Sequence, residues 1–449
     1  MTTRMISLFV LALALLGSSG LGASDFDIGG SIDNYSSLPV TVAPGSAIIA
    51  LDQRNKVGVW ADFNSGPDFS ISGEGSYNLT LQVPYLFNLD YLKMQARLAP
   101  WLGVTLGRFT FTDFTSHVLN HTLDGAQFEL DFPFARILTG VAYSGLQLKP
   151  VSLILMSRSD SADQTNSSVF LAAPRLVESV QVLFPGVFSR VDVNLSVVLQ
   201  QDLRSSGGLI QAGQQNQVVS GLSGGSLTTE YFGLGLSGAA VSSLYYDAFF
   251  YWNAGSTLSY VPDSVSVTGF SYQYETIQAF IGGLGLKWYI EEALSSRLEL
   301  RGIFSSGDAD STAYLEGNTS GASTTFVPIS QEVIGVAFTP QFGNLVLFDL
   351  NYSFKPFSRS ESLWKNLQII VKALSFLRPT TGAISQPGLN AASSDLYLGT
   401  EPEIIFNFRP YSDLGLVLST GVFIPNGGAF TGTSAQPTIA ARLEFSMSF

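Results

Sequence analysis

The charged residues of this chain fall into register rather than into compact motifs. Lys93 and Arg97 alternate with Leu92, Met94, Ala96 and Leu98; Arg297, Glu299 and Arg301 alternate with Leu298 and Leu300. The same two-residue spacing sets Arg190, Lys287, Lys355, Lys372, Arg409 and Arg442 among polar neighbours. It does the same for Glu74, Glu129, Asp131, Asp192, Asp247, Asp349, Glu401, Glu403 and Glu444. Side chains of a strand alternate between its two faces, so each segment has one charged face and one apolar face. Such rows can pair acid with base to fill an interior, or line a wet channel whose field orders passing solutes. A Lys or Arg aimed at the middle of a bilayer costs about 2–4 kcal/mol, so an apolar face turned to lipid sends the charged face inward.

Two other patterns carry less. His117 and His121 stand four residues apart, a spacing that shares a metal when it lies on a helix. Their surroundings read as a loop, and no cysteine or third ligand accompanies them. No metal site, catalytic residue or cofactor is expected, and the chain does not read as an enzyme. Gly233-Leu-Gly235-Leu-Ser-Gly238 matches the dinucleotide pattern by letters. That chemistry requires a turn into a helix. Here a further strand-like run follows, from Ala239 to Trp252, so the glycines read as small residues where a strand is crowded.

The elements that must hold these rows are strands. Period-2 segments run through 69–82, 92–98, 190–202, 346–355 and 401–409, and the chain ends on a strand whose apolar row is Leu443, Phe445, Met447 and Phe449. Tight turns such as Pro410-Tyr411-Ser412-Asp413 alternate with Gly/Ser/Thr-rich stretches at 204–226, 306–330, 378–394 and 425–435. Short turns at one end and long loops at the other belong to transmembrane barrels. The fold expected is all-β: a single transmembrane antiparallel β-barrel of about 18 strands, the even range being roughly 16 to 20. Trp60, Trp101, Trp252, Trp288 and Trp364 lie near segment ends and are expected in the interfacial girdles. The long loops are expected to be exposed and expendable for the fold.

Composition agrees with that class. Of 449 residues, 46% are hydrophobic and only 13% charged, yet no run approaches the roughly 20 apolar residues of a spanning helix. Ile6–Leu16 follows Arg4, is too short to anchor, and precedes the small residues of 17–24, so 1–24 reads as an export signal. The absence of cysteine excludes a lipid-anchored precursor and disulfide stabilisation. A net charge of −13 argues against nucleic acid as partner. Residues 25–53 alternate poorly and are open between a first strand and a periplasmic tail, or the only candidate hatch. Residues 54–449 read as the barrel.

Ending on Phe449 after such a strand resembles the C-terminal signal of bacterial outer-membrane barrels. That likeness makes Phe445, Met447 and Phe449 the assembly signal, read by the barrel-assembly machinery. Three further stretches are similar to the alginate-export porin family. They are Leu106-Gly107-Arg108-Phe109 with Leu123-Asp124-Gly125, Ser306-Gly307-Asp308 after Arg301, and Leu398-Gly399-Thr400-Glu401. The resemblance implies an 18-stranded monomer in outer-membrane lipid, passing anionic polysaccharide or small polar solutes. It also implies that Arg108 and Arg301 contribute to an electropositive constriction. The expected role is a passive outer-membrane channel for small polar or anionic solutes. The alternatives are a plugged barrel displaying adhesive loops and a transporter of hydrophobic substrates with an N-terminal hatch.

Overall fold

The computed structural model describes residues 24–43, 46–81, 86–187, 190–204, 227–267, 269–290, 294–311, 313–315 and 317–449. The expected export signal lies outside the described residues except for Ser24, and the 204–226 loop except for Arg204. Strand segments close into one antiparallel ladder. They are β1 (Ser24–Ala43), β2 (Ser46–Ile49), β3 (Asp52–Ser65), β4 (Phe69–Thr80), β5 (Leu86–Ala99), β6 (Leu102–Thr112), β7 (Asn120–Phe132), β8 (Ala135–Tyr143) and β9 (Arg175–Val187). There follow β10 (Val191–Asp202), β11 (Thr228–Val241), β12 (Leu244–Pro262), β13 (Phe270–Ile290) and β14 (Ser296–Ser305). The wall ends with β15 (Leu345–Phe354), β16 (Leu367–Leu377), β17 (Tyr397–Tyr411), β18 (Leu414–Pro425) and β19 (Thr438–Ser448). β2 and β3 pair with successive parts of β1 and make one interrupted wall strand, so the barrel has eighteen positions.

Closure runs between β1 and β19, in register from Ser31 opposite Ser448 to Thr41 opposite Thr438. Phe449 continues it: Gly30 N–H donates to the Phe449 carbonyl at 2.7 Å, and Phe449 N–H donates back at 3.0 Å. The Phe449 ring covers Gly30, where an added β-carbon would meet it at 2.7 Å. β1 and β2 are therefore wall: among the described residues the barrel includes Ser24–Ala43 and Ser46–Ile49 ahead of residue 54, and these strands form no hatch.

The outer face is apolar. Ile28, Val59, Phe250, Leu284, Phe348 and Leu443 are all exposed on it, as a surface immersed in hydrocarbon requires. Trp101, Trp252, Trp288 and Trp364 are exposed as well, with Trp101 stacked on Phe132 and Trp364 on Phe408. Trp60 departs from the expectation. Val57 and Val59 point outward, so Trp60 points inward, its ring lying over Gly29. It is a lumen residue and no part of a girdle.

The loops divide by end as their lengths imply. Turns 66–68, 100–101, 133–134, 242–243 and 412–413 share one end, with 355–366 as the longer exception; 113–119, 144–174, 306–344, 378–396 and 426–437 share the other. The long loops are not a loose fringe. Phe111, Leu119, Phe326, Phe342 and Phe376 belong to one buried apolar cluster that joins loops to the inner wall of the barrel's long-loop half. Against the expectation that 306–330 and 378–394 are exposed, their Phe326, Ile329 and Ile384 are buried in this cluster. Ser320 is exposed, but the Ser385 hydroxyl accepts the Gln341 N–H at 2.7 Å.

Loop 144–174 carries α1 (Arg158–Thr165), begun by a capping box between Ser157 and Asp160. The helix is tied to the wall by Arg175, whose fully buried guanidinium holds both oxygens of Asp160 at 2.7 and 2.8 Å. Asp202 lies 3.6 Å from the same group, and Arg204 reaches Asp160 at 3.1 Å.

Candidate functional site

The inner face carries the charged rows. On β14, Arg297, Glu299 and Arg301 point inward beneath an exposed Leu300 on the opposite face. Lys287 of β13 lies 3.2 Å from Asp247 of β12 and 3.9 Å from Glu299. Arg297 reaches Glu299 at 3.3 Å, and Lys372 of β16 reaches Glu403 of β17 at 3.3 Å. Across the N-terminal strands a single ammonium gathers three acids: Lys56 stands 2.8 Å from Glu74, 2.7 Å from Asp90 and 3.9 Å from Asp33. Lys93 shares the inward row of β5 with Arg97, which pairs with Asp131 at 2.8 Å near the short-turn end. Arg190 lines a cavity of about 1020 Å³ at that end, together with Asp192, Tyr245 and Lys287. Arg409 continues the inward row of Glu401 and Glu403 toward the same end.

Arg108 is on the other face. Thr105 faces the lumen and Leu106 faces out, so Arg108 points outward on β6, as does its partner Asp124 beside Ala126 and the exposed Phe128. Two hydrogen bonds at 2.8 and 2.9 Å join the pair, and Arg108 also donates to the Leu89 and Leu146 carbonyls. A two-pronged carboxylate partner and two carbonyls neutralise a cation that would otherwise face lipid. The constriction role implied for Arg108 is therefore not available to it.

Two loops narrow the lumen. Loop 113–119 wraps around Asp113, whose carboxylate accepts the N–H groups of Thr115, Val118 and Leu119 at 2.7–3.1 Å and the Tyr251 hydroxyl at 2.9 Å. Its Phe114 ring fits against Gly235, and the Tyr251 ring fits against Gly233. The glycine pattern of β11 thus makes room for two inward aromatics, which is why it resembles a nucleotide motif only in letters. Loop 306–344 docks on this platform, with the Ile329 and Ser330 N–H groups donating to the Val118 carbonyl at 3.1 Å. Glu332 then accepts from His117 Nδ1 at 2.6 Å. Burial opposes the charge of Glu332, but His117, Arg301 and Lys372 hold its carboxyl below the ordinary value.

Between these loops and the wall lies a cavity of about 410 Å³, lined by Phe114, Asn194, Phe249, Lys287, Arg301 and Gln331 among others. Arg301 is held loosely there. Its nearest carboxylates are Asp349 at 3.5 Å and Glu332 at 3.9 Å, and its buried Nε has no hydrogen-bond partner. The Arg301 guanidinium thus lines a polar cavity with room for an acceptor. The downstream half of loop 306–344 is held by Glu401 and Glu403, which accept the N–H groups of Val336, Ala337 and Phe338. Periodicity put Arg301, Glu401 and Glu403 in the lumen; it carried no sign of Asp113 or Glu332, whose partners lie in distant loops.

No protein-family model and no curated protein matches the sequence. Solved structures match the fold over almost the whole chain. Pseudomonas aeruginosa OpdQ aligns with a TM-score of 0.57 at 10% identity, covering 95% of this chain and 98% of that one. The outer membrane protein OpdK of the same organism aligns with a TM-score of 0.56 at 11% identity, covering 95% and 98%. OccK2 (OpdF), solved in complex with glucuronate, aligns with a TM-score of 0.55 at 10% identity, covering 94% and 98%. These neighbours are outer-membrane porins of the OprD/Occ kind, and the fold of this chain is that of such a porin.

Proposed function

We propose that the protein is a passive channel of the bacterial outer membrane for small polar or anionic solutes. The selective step lies where loop 306–344 meets β14. The observation that carries this is the Arg301 guanidinium, lining a polar cavity of about 410 Å³ with no carboxylate closer than 3.5 Å. A solute carboxylate can take the donors that Asp349 and Glu332 leave free. Glu299 and Asp349 stand beside Arg301, so the preference for anions is mild. The solved neighbour bound to glucuronate supports a sugar acid as one solute of this class. The short Gly-Arg, Ser-Gly-Asp and Leu-Gly-Thr-Glu motifs support kinship with alginate-export porins at the level of the scaffold. The outward Arg108 argues against an alginate-type arginine constriction. The barrel is inserted through the assembly machinery that reads Phe445, Met447 and Phe449, and it works as a monomer.

The apolar packing of loops inside the barrel favours a second reading, a plugged barrel that displays its outer loops. Planar-bilayer recording separates the two. The channel gives a stable open level, and liposomes swell faster in sugar acids than in neutral sugars of the same size. A barrel with no open level refutes the channel and leaves the display reading.

A further inference from the structure

Two anchors flank residues 333–335 of loop 306–344, and the second is unusual. The first is the Val118 carbonyl with His117, which holds Ile329, Ser330 and Glu332. The second is a carboxylate clasped by consecutive backbone amides. Glu401 Oε1 accepts Val336 N–H at 2.9 Å and Ala337 N–H at 2.6 Å, while Oε2 accepts Phe338 N–H at 2.9 Å. Glu403 Oε1 adds a bond to Val336 N–H at 2.8 Å, and its other oxygen lies 3.3 Å from Lys372. Glu401 itself is 0% exposed and forms no ion pair with a described residue.

Two glycines make the space. A β-carbon on Gly335 would stand 2.8 Å from Glu401 Oε2 and would also strike the Phe338 carbonyl; one on Gly421 of β18 would stand 2.6 Å from Oε1. Phe338 then locks the segment by stacking on Phe423 at 4.1 Å and meeting Phe376 edge-on at 4.9 Å. Between Glu332 and Val336, the inner edges of the two anchors, only Val333–Gly335 remain, and Val333 is 62% exposed while Ile334 is buried. Three residues between two fixed points have little freedom, so the anchors set how far Val333 reaches into the lumen.

We propose that Glu401 is a positioning residue for the channel's narrow zone: by binding the amides of Val336–Phe338 it sets the aperture through which solute passes. Burying a carboxylate without a counter-ion is expensive, and a filler would not need the charge. The carboxylate provides acceptors for three convergent N–H groups, an anion held in a backbone nest. Glutamine cannot substitute, because its single carbonyl oxygen leaves an NH₂ group facing an amide donor. The proposal rests on the channel reading, since an aperture matters only if solute passes.

The test uses the full-length barrel reconstituted in planar bilayers. Glu401→Gln should keep the heat-modifiable folded form, while its open level rises and loses the single value of the parent. The chain has no cysteine, so Val333→Cys gives a unique reporter. A charged thiol reagent should reduce its current, and the same modification should reduce it less when Glu401→Gln is added. Glu401→Asp should restore part of the parent behaviour, and Glu403→Gln, which leaves the three bonds to Glu401 in place, should have the smaller effect. If Glu401→Gln fails to fold, Gly335→Ala perturbs the anchor from the loop side without replacing a wall residue, and the same rise is expected. Parent-like current and labelling in a folded Glu401→Gln or Gly335→Ala variant overturns the proposal. If the parent itself never opens, it is the channel reading that fails; the labelling rate at Val333→Cys, faster without the anchor, still tests the positioning of the loop.

Discussion

Replacing Arg175 with Met should open the 144–174 loop while leaving the barrel closed. Arg175 stands at the first position of β9 and is fully buried, with Asp160 at 2.7 Å and Asp202 at 3.6 Å. Removing it leaves two buried carboxylates to share Arg204 alone. Breaking a buried pair in this way costs about 3–5 kcal/mol. The wall ladder loses nothing, because β9 remains paired along β8 and β10, so the cost falls on the docking of α1. At about 1.4 kcal/mol per factor of ten, the open population of the loop rises roughly a hundred- to a few-thousand-fold. Trypsin cutting at Lys149 and Arg158 reports that population when reclosing outpaces cleavage. The expected result is rapid nicking within 144–174 and an unchanged heat-modifiable barrel. Adding Asp160→Asn should recover part of the loss by removing the stranded charge. In the parent, burial works against Asp160, but Arg175 and Arg204 hold its carboxyl below the ordinary value. A depressed carboxyl stabilises above the unfolded value near 3.9 and loses that contribution as pH falls through the lower one. The parent loop should therefore resist trypsin equally at all pH values above about 5 and loosen only in stronger acid. Cleavage of Arg175→Met at the parent rate would refute the reasoning.

Three other outcomes are expected. Deleting Phe449 removes two backbone hydrogen bonds to Gly30 and the ring that covers it, so the yield of protease-resistant barrel in the outer membrane should fall; unchanged yield at normal expression counts against a role in closure. Replacing both Arg297 and Arg301 with Ser should shift the reversal potential in a salt gradient toward cations without unfolding the barrel. Unaltered selectivity would make them struts paired with acids. An epitope inserted at the β12–β13 hairpin tip, where Val265 is 87% and Val267 93% exposed, should be reached by antibody on intact cells. The same insertion at Ser385 should lower folded yield because its hydroxyl holds the Gln341 amide.

The wall was legible because lipid and lumen impose opposite chemistry on alternate residues; on β14 the ladder sets Arg297, Glu299 and Arg301 on the face opposite the exposed Leu300. Trp60 was misplaced by its aromatic character, which suits an interface, whereas its register turns it inward over Gly29. Arg108 was assigned by resemblance alone, and the register of β6 opposes that assignment through the outward pair with Asp124. The interior beyond the wall left a weaker trace. Gly/Ser/Thr-rich composition describes a loop that is free of regular structure; it does not say whether the loop stays in water. Phe326, Phe338 and Phe342 in 306–344 carried the answer, because an aromatic in an outer loop needs an apolar surface, and in a barrel that surface is the inner wall. The same logic explains Val151–Met156, apolar yet not a strand, packed inward through Ile154 and Met156. Glu401 looked like one more lumen carboxylate, balanced by a nearby base. Its partners are instead the backbone amides of a loop some sixty residues earlier, and amides carry no sequence signature. A carboxylate's role in such a barrel therefore depends on what the loops bring to it, and the positions that reveal this are the glycines that leave it room.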